Sequence, residues 1–240
     1  MNYLVTGCSR GVGLEICKVL LGGGHKVYGI ARTHSADFRE LQITYPDSLF
    51  FKGIDLGDSD NIRKTVFKEY VSNDIVIDGY VNNAAMAYDD IITNLDLSKL
   101  REMYAVNVFT PMMLTKYVIR NMILHHTKGS IIHISSISAH TGYKGLAMYA
   151  SSKGALEAFS KDTAREWGER GIRSNVVVPG FMETAMSSSL TPDQKDRIYK
   201  RTSLKSATDV HSVAETVAFL LSDKACSITG QNIHVDNGTI

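Results

Sequence analysis

Residues 3–31 constrain the fold more than any other part of the chain. Tyr3 to Val5 reads as a short apolar strand that breaks at Thr6-Gly7-Cys8-Ser9-Arg10-Gly11-Val12-Gly13. Val12, Ile16, Val19 and Leu20 then recur at helical spacing. The run Gly22-Gly23-Gly24 stops that helix by supplying left-handed C-cap geometry, and Lys26 to Ala31 reads as a second strand. Strand, glycine turn, helix and strand in this compass form a βαβ unit, which requires a parallel sheet.

The rest of the chain continues the alternation. Asp37 to Leu41 reads as a short helix, and Leu49 to Ile54 as a third strand ending at Asp55-Leu56. Ser59 to Val71 is predicted helical with Ser59 as N-cap, followed by a fourth strand, Ile75 to Val81, that runs into Asn82-Asn83-Ala84-Ala85. A long helical segment spans Leu97 to His125, and Pro111 should kink it. Ser130 to Ile134 is a fifth strand, ending at Ser135-Ser136. A helix from near Tyr149 to about Arg170 leads to a sixth strand, Ile172 to Val178, which closes at Pro179-Gly180. Asp209 to Leu221 is an amphipathic helix with Asp209 as N-cap, and Asn232 to Val235 is the last strand. Phe181 to Thr208 has weak periodicity and lies just past a strand's carboxyl end, the place of a substrate lid. Seven strands alternating with helices predict one α/β domain over residues 1–240: a doubly wound Rossmann fold with a parallel sheet covered on both faces.

Totals narrow the function classes. A net charge of +1 advertises neither nucleic acid nor an anionic membrane as partner. Three unpaired cysteines fit a reducing compartment, and the eight histidines form no metal motif. The first residues run straight into a strand without a signal segment, and no apolar run approaches the ~20 residues of a membrane span. The expectation is a soluble, cytoplasmic protein.

Two stretches carry chemistry. At the glycine turn, small residues let backbone approach a pyrophosphate whose charge meets the following helix N-terminus. The second strand ends Ala31-Arg32-Thr33, without the acidic residue that would bind the ribose hydroxyls of NAD. Arg32, with Arg10 in the turn, can meet a 2′-phosphate instead, which favours NADP(H) over NAD(H). The second stretch is Tyr149-Ala150-Ser151-Ser152-Lys153. A tyrosine and a lysine four apart share one helical face, and the ammonium should draw the phenol's pKa down toward working pH.

These residues resemble the short-chain dehydrogenases/reductases over nearly the whole chain. The resemblance rests on the turn Thr6 to Gly13, N-N-A-A at Asn82 to Ala85, Asn107, Ser136 thirteen residues before Tyr149, Y-A-S-S-K, and P-G-F-M-E-T at Pro179 to Thr184. Within the family, A-R-E-W-G-E-R-G-I-R-S-N-V-V-V-P-G-F and I-T-G-Q-N-I-H-V-D look most like the 3-oxoacyl-[acyl-carrier-protein] reductases. Ala85 and Asn237 depart from the usual N-N-A-G and V-D-G-G.

The resemblance implies an NADPH-dependent reduction of a ketone, most like a 3-oxoacyl thioester. Tyr149 would donate the proton, Ser136 hold the substrate oxygen, Lys153 bind the nicotinamide ribose, and Asn107 hold a water linked to Lys153. Gly7, Ser9, Arg10, Val12 and Gly13 would line the phosphates, with Arg32 selecting the 2′-phosphate. Asp55 and Leu56 would flank adenine, Asn83 and Ala84 its ribose, and Pro179, Met182 and Thr184 the nicotinamide. An acyl carrier protein is acidic, so basic residues are expected beside the cleft; Arg170 matches such a position, while Thr127 stands where a basic residue is usual, next to Lys128. A homotetramer through the two long central helices is implied as well. The alternatives are a dehydrogenase of a sugar, polyol or other small alcohol, and a non-catalytic dinucleotide sensor on the same fold.

Overall fold

The computed structural model describes residues 1–184 and 191–240, and its centre is a seven-stranded parallel sheet. β1 (Asn2–Thr6), β2 (Lys26–Ala31) and β3 (Leu49–Gly53) run out to one edge. β4 (Gly79–Asn82), β5 (Ser130–Ile134), β6 (Arg173–Pro179) and β7 (Asn232–Val235) fill the other side, giving the order β3-β2-β1-β4-β5-β6-β7. Strand order reverses between β1 and β4, and a crevice at the carboxyl ends of such a switch point is where ligands bind.

Adjacent strand residues enter different cores, as a period of two requires. Val5, Val27, Val81, Ile132 and Val177 face α1 (Gly11–Gly22) and α8 (Val210–Leu221), meeting Ile16, Leu20, Val213 and Val217. α2 (Ala36–Thr44), capped by Ser35, adds Phe38 to this core. Leu4, Ile30, Tyr80 and Ile131 face the other way, onto Ile62, Leu114, Val118 and Met122. Each buried aliphatic side chain of this kind contributes about 2 kcal/mol. β5 is buried at every residue, as befits a central strand covered on both faces.

The predicted helix over Ser59 to Val71 is a correction. Only α3 (Ile62–Thr65) is regular helix, and Ser59 is not its cap. The Asp58 carboxylate instead accepts from Asn61 N and Nδ2 at 3.4 and 2.7 Å, a local turn that competes with helix. Val71 N then reaches Val66 O, one residue wider than an α-turn, so that Val66, Phe67 and Val71 all bury. The fourth strand also starts later than expected. The side chain of Asn121 accepts from Ile77 N and donates to Ile75 O, both at 2.9 Å, and so takes the backbone bonds that a ladder would have used.

The long helical segment divides into α4 (Leu97–Tyr104), a wide π-turn over Ala105–Phe109, and α5 (Thr110–Leu124). Pro111 has no N–H to offer the Asn107 carbonyl in α-register, which accounts for the irregularity just ahead of it. α6 (Ala147–Trp167) begins two residues before Tyr149 and tightens into a 3₁₀ turn over Gly168–Arg170.

Of the predicted lid over 181–208, residues 185–190 lie outside the described residues. α7 (Pro192–Tyr199) follows, with a Thr191–Gln194 capping box. The far end of the segment is tied to the C-terminal turn. Asn237, at φ 57°, donates from Nδ2 to Ser206 O (3.1 Å) and Ala207 O (2.9 Å), while its own carbonyl accepts from Ser203 N (2.9 Å). The departure from V-D-G-G thus keeps the left-handed turn and adds an anchor.

Candidate active site

At Gly7 and Gly13 the turn after β1 leaves no room for a side chain. A Cβ added to Gly13 would stand 2.1 Å from the Gly7 carbonyl oxygen, and one on Gly7, at φ 65°, would stand 2.8 Å from Ala84 Cα. Thr6 Oγ1 accepts from Asn83 N (3.1 Å) and Ala84 N (3.2 Å). Asn83 Nδ2 returns two bonds, to Thr6 O and Gly7 O, each at 3.1 Å. The side chain of Asn83 therefore holds the turn shut.

Arg10 occupies the N-cap of α1 in extended geometry without a side-chain cap bond, and no acidic residue sits in the first turn. A Cβ on Gly11, the first residue of α1, would meet nothing within 4 Å. No carboxylate in the first turn neutralises the leading N–H groups of α1, an arrangement that suits a pyrophosphate. Ser9 and Val12 are buried under this turn, and Ser9 O accepts from Ser35 Oγ in the loop past β2.

The other expected cofactor positions follow the same sheet edge. Arg10 and Arg32 are exposed, Arg32 just past the end of β2. Asp55 is exposed beyond β3, and buried Leu56 gives its carbonyl to Thr110 Oγ1 at 2.7 Å. Pro179 ends β6, and at Gly180 a Cβ would meet Thr208 Oγ1 at 2.4 Å. Met182 packs against the first core, with Thr184 two residues on. The glycine cradle, the uncapped helix and the two guanidiniums fit a dinucleotide laid across the carboxyl ends of the strands. Among the described residues no group of three His, Cys, Asp or Glu could hold a metal ion, and no helix is long and apolar enough to cross a membrane.

The four expected catalytic side chains come together beside that edge. Lys153 is buried, and its Nζ donates to the carbonyl of Ile134, the last residue of β5, at 2.8 Å. The same Nζ lies 5.6 Å from the centre of the Tyr149 ring. Ser136, two residues beyond Ile134, caps a 3₁₀ turn (Ile137–Ala139) and accepts from Ser138 N at 3.2 Å. Asn107 Oδ1 accepts from Met86 N (2.8 Å), and its Nδ2 donates to Met86 O (2.9 Å) and Ser152 Oγ (3.0 Å). Ser152 Oγ in turn donates to Tyr149 O at 2.7 Å. Asn107 thus clamps the segment after β4 to the helix that carries Tyr149.

Burial sets the charges here. It lowers the Lys153 ammonium to about 8, partly opposed by the carboxylate of Glu157. Burial, with the carboxylate of Asp89, raises the Tyr149 phenol. The expected pull of Lys153 on that phenol is therefore outweighed in the protein on its own. The ammonium is committed to the Ile134 carbonyl and to the ring face. A protonated phenol is the form that can give a proton to a carbonyl oxygen.

Sequence reasoning passed over three supports of this site. Thr6 and Ser152 lie inside the quoted motifs, where a hydroxyl among small residues was the available signal. Glu157, one turn past Lys153, had none, because its partners come from distant parts of the chain.

The family described as "Enoyl-(Acyl carrier protein) reductase" matches residues 7–239. The chain is 33% identical over 237 residues to the 3-oxoacyl-[acyl-carrier-protein] reductase FabG of Escherichia coli (strain K12), covering 98% of this chain and 95% of that protein. It is 35% identical over 240 residues to an L-xylulose reductase of Caenorhabditis elegans, covering 99% and 94%. A solved structure described as a putative NAD(P) dependent gluconate 5-dehydrogenase from Beutenbergia cavernae with bound NADP superposes with a TM-score of 0.93 at 26% identity, covering 99% and 96%. Fold, cradle and relatives agree across almost the full length: the chain belongs to the short-chain dehydrogenase/reductase family and is an NAD(P)-dependent oxidoreductase.

Proposed function

We propose that the protein reduces a ketone to a secondary alcohol with NADPH, and that the ketone is a 3-oxoacyl thioester. The observation that carries this reading is Tyr149 set one helical turn from Lys153, whose Nζ lies 5.6 Å from the centre of its ring, with Ser136 two residues past the Ile134 carbonyl that Lys153 holds. The nicotinamide supplies the hydride. Tyr149 gives its proton to the substrate oxygen as charge develops there, and Ser136 Oγ holds that oxygen in place. Lys153 has one bond to Ile134 and further N–H groups for the nicotinamide ribose. The Asn107 carbonyl, which lacks an α-register donor because of Pro111, holds the water that returns a proton to this pair.

Gly7, Ser9, Arg10, Val12 and Gly13 bind the phosphates, and Arg10 and Arg32 take the 2′-phosphate, in keeping with the absence of an acidic residue at Ala31 or Arg32. Asp55 and Leu56 flank adenine, Asn83 and Ala84 the adenosine ribose through backbone, and Pro179, Met182 and Thr184 the nicotinamide.

The thioester is supported by the 3-oxoacyl-[acyl-carrier-protein] reductases among the relatives. An acidic carrier protein would need basic residues. Lys128 and Arg170 are exposed neighbours, since the Lys128 side chain would lie 2.8 Å from a Cβ on Gly171. They precede β5 and β6, however, and so sit at the opposite edge of the sheet from Ser136, not beside the cleft of the same chain as expected. Carrier recognition therefore goes with a homotetramer in which one subunit's basic edge meets another's cleft. Phe109, Ile123 and Leu124 are exposed along α5 and its lead-in, which supports assembly there, whereas Leu156 on α6 belongs to the buried core.

A second reading, reduction of a small sugar or polyol, is favoured by the 35% identity to an L-xylulose reductase. A panel of acetoacetyl thioesters and ketoses, each offered with NADPH and with NADH, separates the two. Turnover of ketoses alone would overturn the thioester, and faster turnover with NADH would overturn the cofactor.

A further inference from the structure

Glu157 is a carboxylate buried in the body of the domain, on α6 one turn beyond Lys153, and only 9% exposed. It accepts from Ser135 Oγ, from Asn232 Nδ2 at 2.8 Å and from His140 Nε2 at 3.0 Å. The donors come from three places: the end of β5, the start of β7, and the end of the 3₁₀ turn that Ser136 opens. The His140 ring also packs edge-on with His234 of β7, with centroids 4.7 Å apart.

We propose that Glu157 is a positioning residue for the reaction, holding the charge of Lys153 through its carboxylate and the turn that carries Ser136 through His140. The roles of Lys153 and Ser136 rest on the function proposed above. A buried carboxylate with three partners is costly unless every acceptor site is used, and here the partners are the elements that must stay in register. Ser135 precedes Ser136 directly. His140 follows the turn and closes it through His140 N to Ile137 O at 3.0 Å. Lys153 and Glu157 are i and i+4 neighbours, within reach of each other's field in a dry environment.

The Lys153 ammonium is faced by Tyr149 and Glu157 from its own helix and by His133 from β5. Asp89, after β4, acts on Tyr149, while His140 bonds Glu157 and His234 packs with His140. Burial alone drives the ammonium toward its neutral form, and Glu157 is the group that opposes this. A neutral amine would bind the ribose hydroxyls less well and return no proton.

Two measurements test this. In the cofactor-free enzyme the titration of Lys153 is followed by its side-chain 13Cε shift, assigned by its loss in Lys153→Met. In Glu157→Gln that midpoint should fall by about one pH unit, and the basic limb of kcat/KM for NADPH oxidation should fall with it. In Glu157→Asp, which keeps the charge but withdraws it from His140, the midpoint should stay while kcat drops about tenfold at unchanged NADPH affinity. His140→Gln should behave as Glu157→Asp does. An unchanged midpoint in Glu157→Gln, or a lowered one in Glu157→Asp, overturns the charge role. Unchanged kcat in His140→Gln overturns the tether. The carbon shift needs neither substrate nor cofactor, so it decides the charge role even if the proposed reduction is not observed.

Discussion

The Nζ of Lys153 donates to the carbonyl of Ile134 at 2.8 Å, pinning the central ammonium of α6 to the last residue of β5. The bond ties the helix to the strand end, two residues before Ser136 and one helical turn after Tyr149. The bond is made under burial, which costs the protein stability in return for a fixed charge.

That cost is measurable. Lys153 falls from 10.5 to about 8 in the folded protein, so the folded state resists protonation that the unfolded chain accepts. The penalty is complete below pH about 8 and fades as pH rises toward 10.5. The shift corresponds to about 3 kcal/mol, offset by about 1 for an Ile134 carbonyl left without its donor. Lys153→Met should thus be more stable than the parent at neutral pH by about 2 kcal/mol, with the gap closing in alkali. Urea unfolding across that range checks it; a less stable variant at neutral pH would contradict it.

His133 gives the acid counterpart. It is fully buried on β5 and lowered from 6.5 to about 3, chiefly by burial and then by Lys153. The unfolded chain takes up a proton below pH 6.5 that the folded one refuses until about 3. Stability should fall through that window by about 1.4 kcal/mol per pH unit from this group alone. His133→Gln should unfold with an acid dependence shallower by one proton. An identical slope in the two proteins would remove His133 as the cause.

The glycine cradle makes a steric prediction. Gly13→Ala would bring a methyl to 2.1 Å of the Gly7 carbonyl, against backbone that cannot yield without opening the turn. It should cost about 3 kcal/mol and abolish NADPH binding. Gly11→Ala meets no atom, but φ is 55° there, so only a strain of about 1 kcal/mol is expected. Fluorescence titration of the cofactor ranks the two variants.

Arg32 should govern cofactor choice. A charge-assisted bond to phosphate contributes about 1.5–3 kcal/mol, so Arg32→Ala should lower the preference for NADPH over NADH by about ten- to a hundredfold in kcat/KM. NADH kinetics should hardly move. Equal losses with both cofactors would mean that Arg32 does not contact the 2′-phosphate.

Much of this was legible in the sequence because it is local. Lys26–Ala31, Ser130–Ile134 and Asn232–Val235 are strands with the expected bounds, since β-branched runs between turn residues have few alternatives. The α1 turn, the Asp209 cap and the Tyr149–Lys153 spacing are equally local. What could not be read depends on distant partners. Asn121 replaces ladder bonds at Ile75 and Ile77, so the strand there starts late. Glu157 collects donors from Ser135, His140 and Asn232, and nothing near it in sequence announces them. The direction of the Tyr149 shift failed for the same reason: helix spacing gives the neighbour, but burial decides the sign.

The central claim is that Tyr149 donates the proton in an NADPH-dependent ketone reduction. It is tested most directly by following NADPH consumption with an acetoacetyl thioester in the parent protein and in Tyr149→Phe. The account predicts steady turnover in the parent and a loss of about 100- to 10,000-fold in the variant, with NADPH still bound. A variant that turns over at the parent's rate, or a parent that binds NADPH yet consumes none with any ketone of the panel, would contradict it.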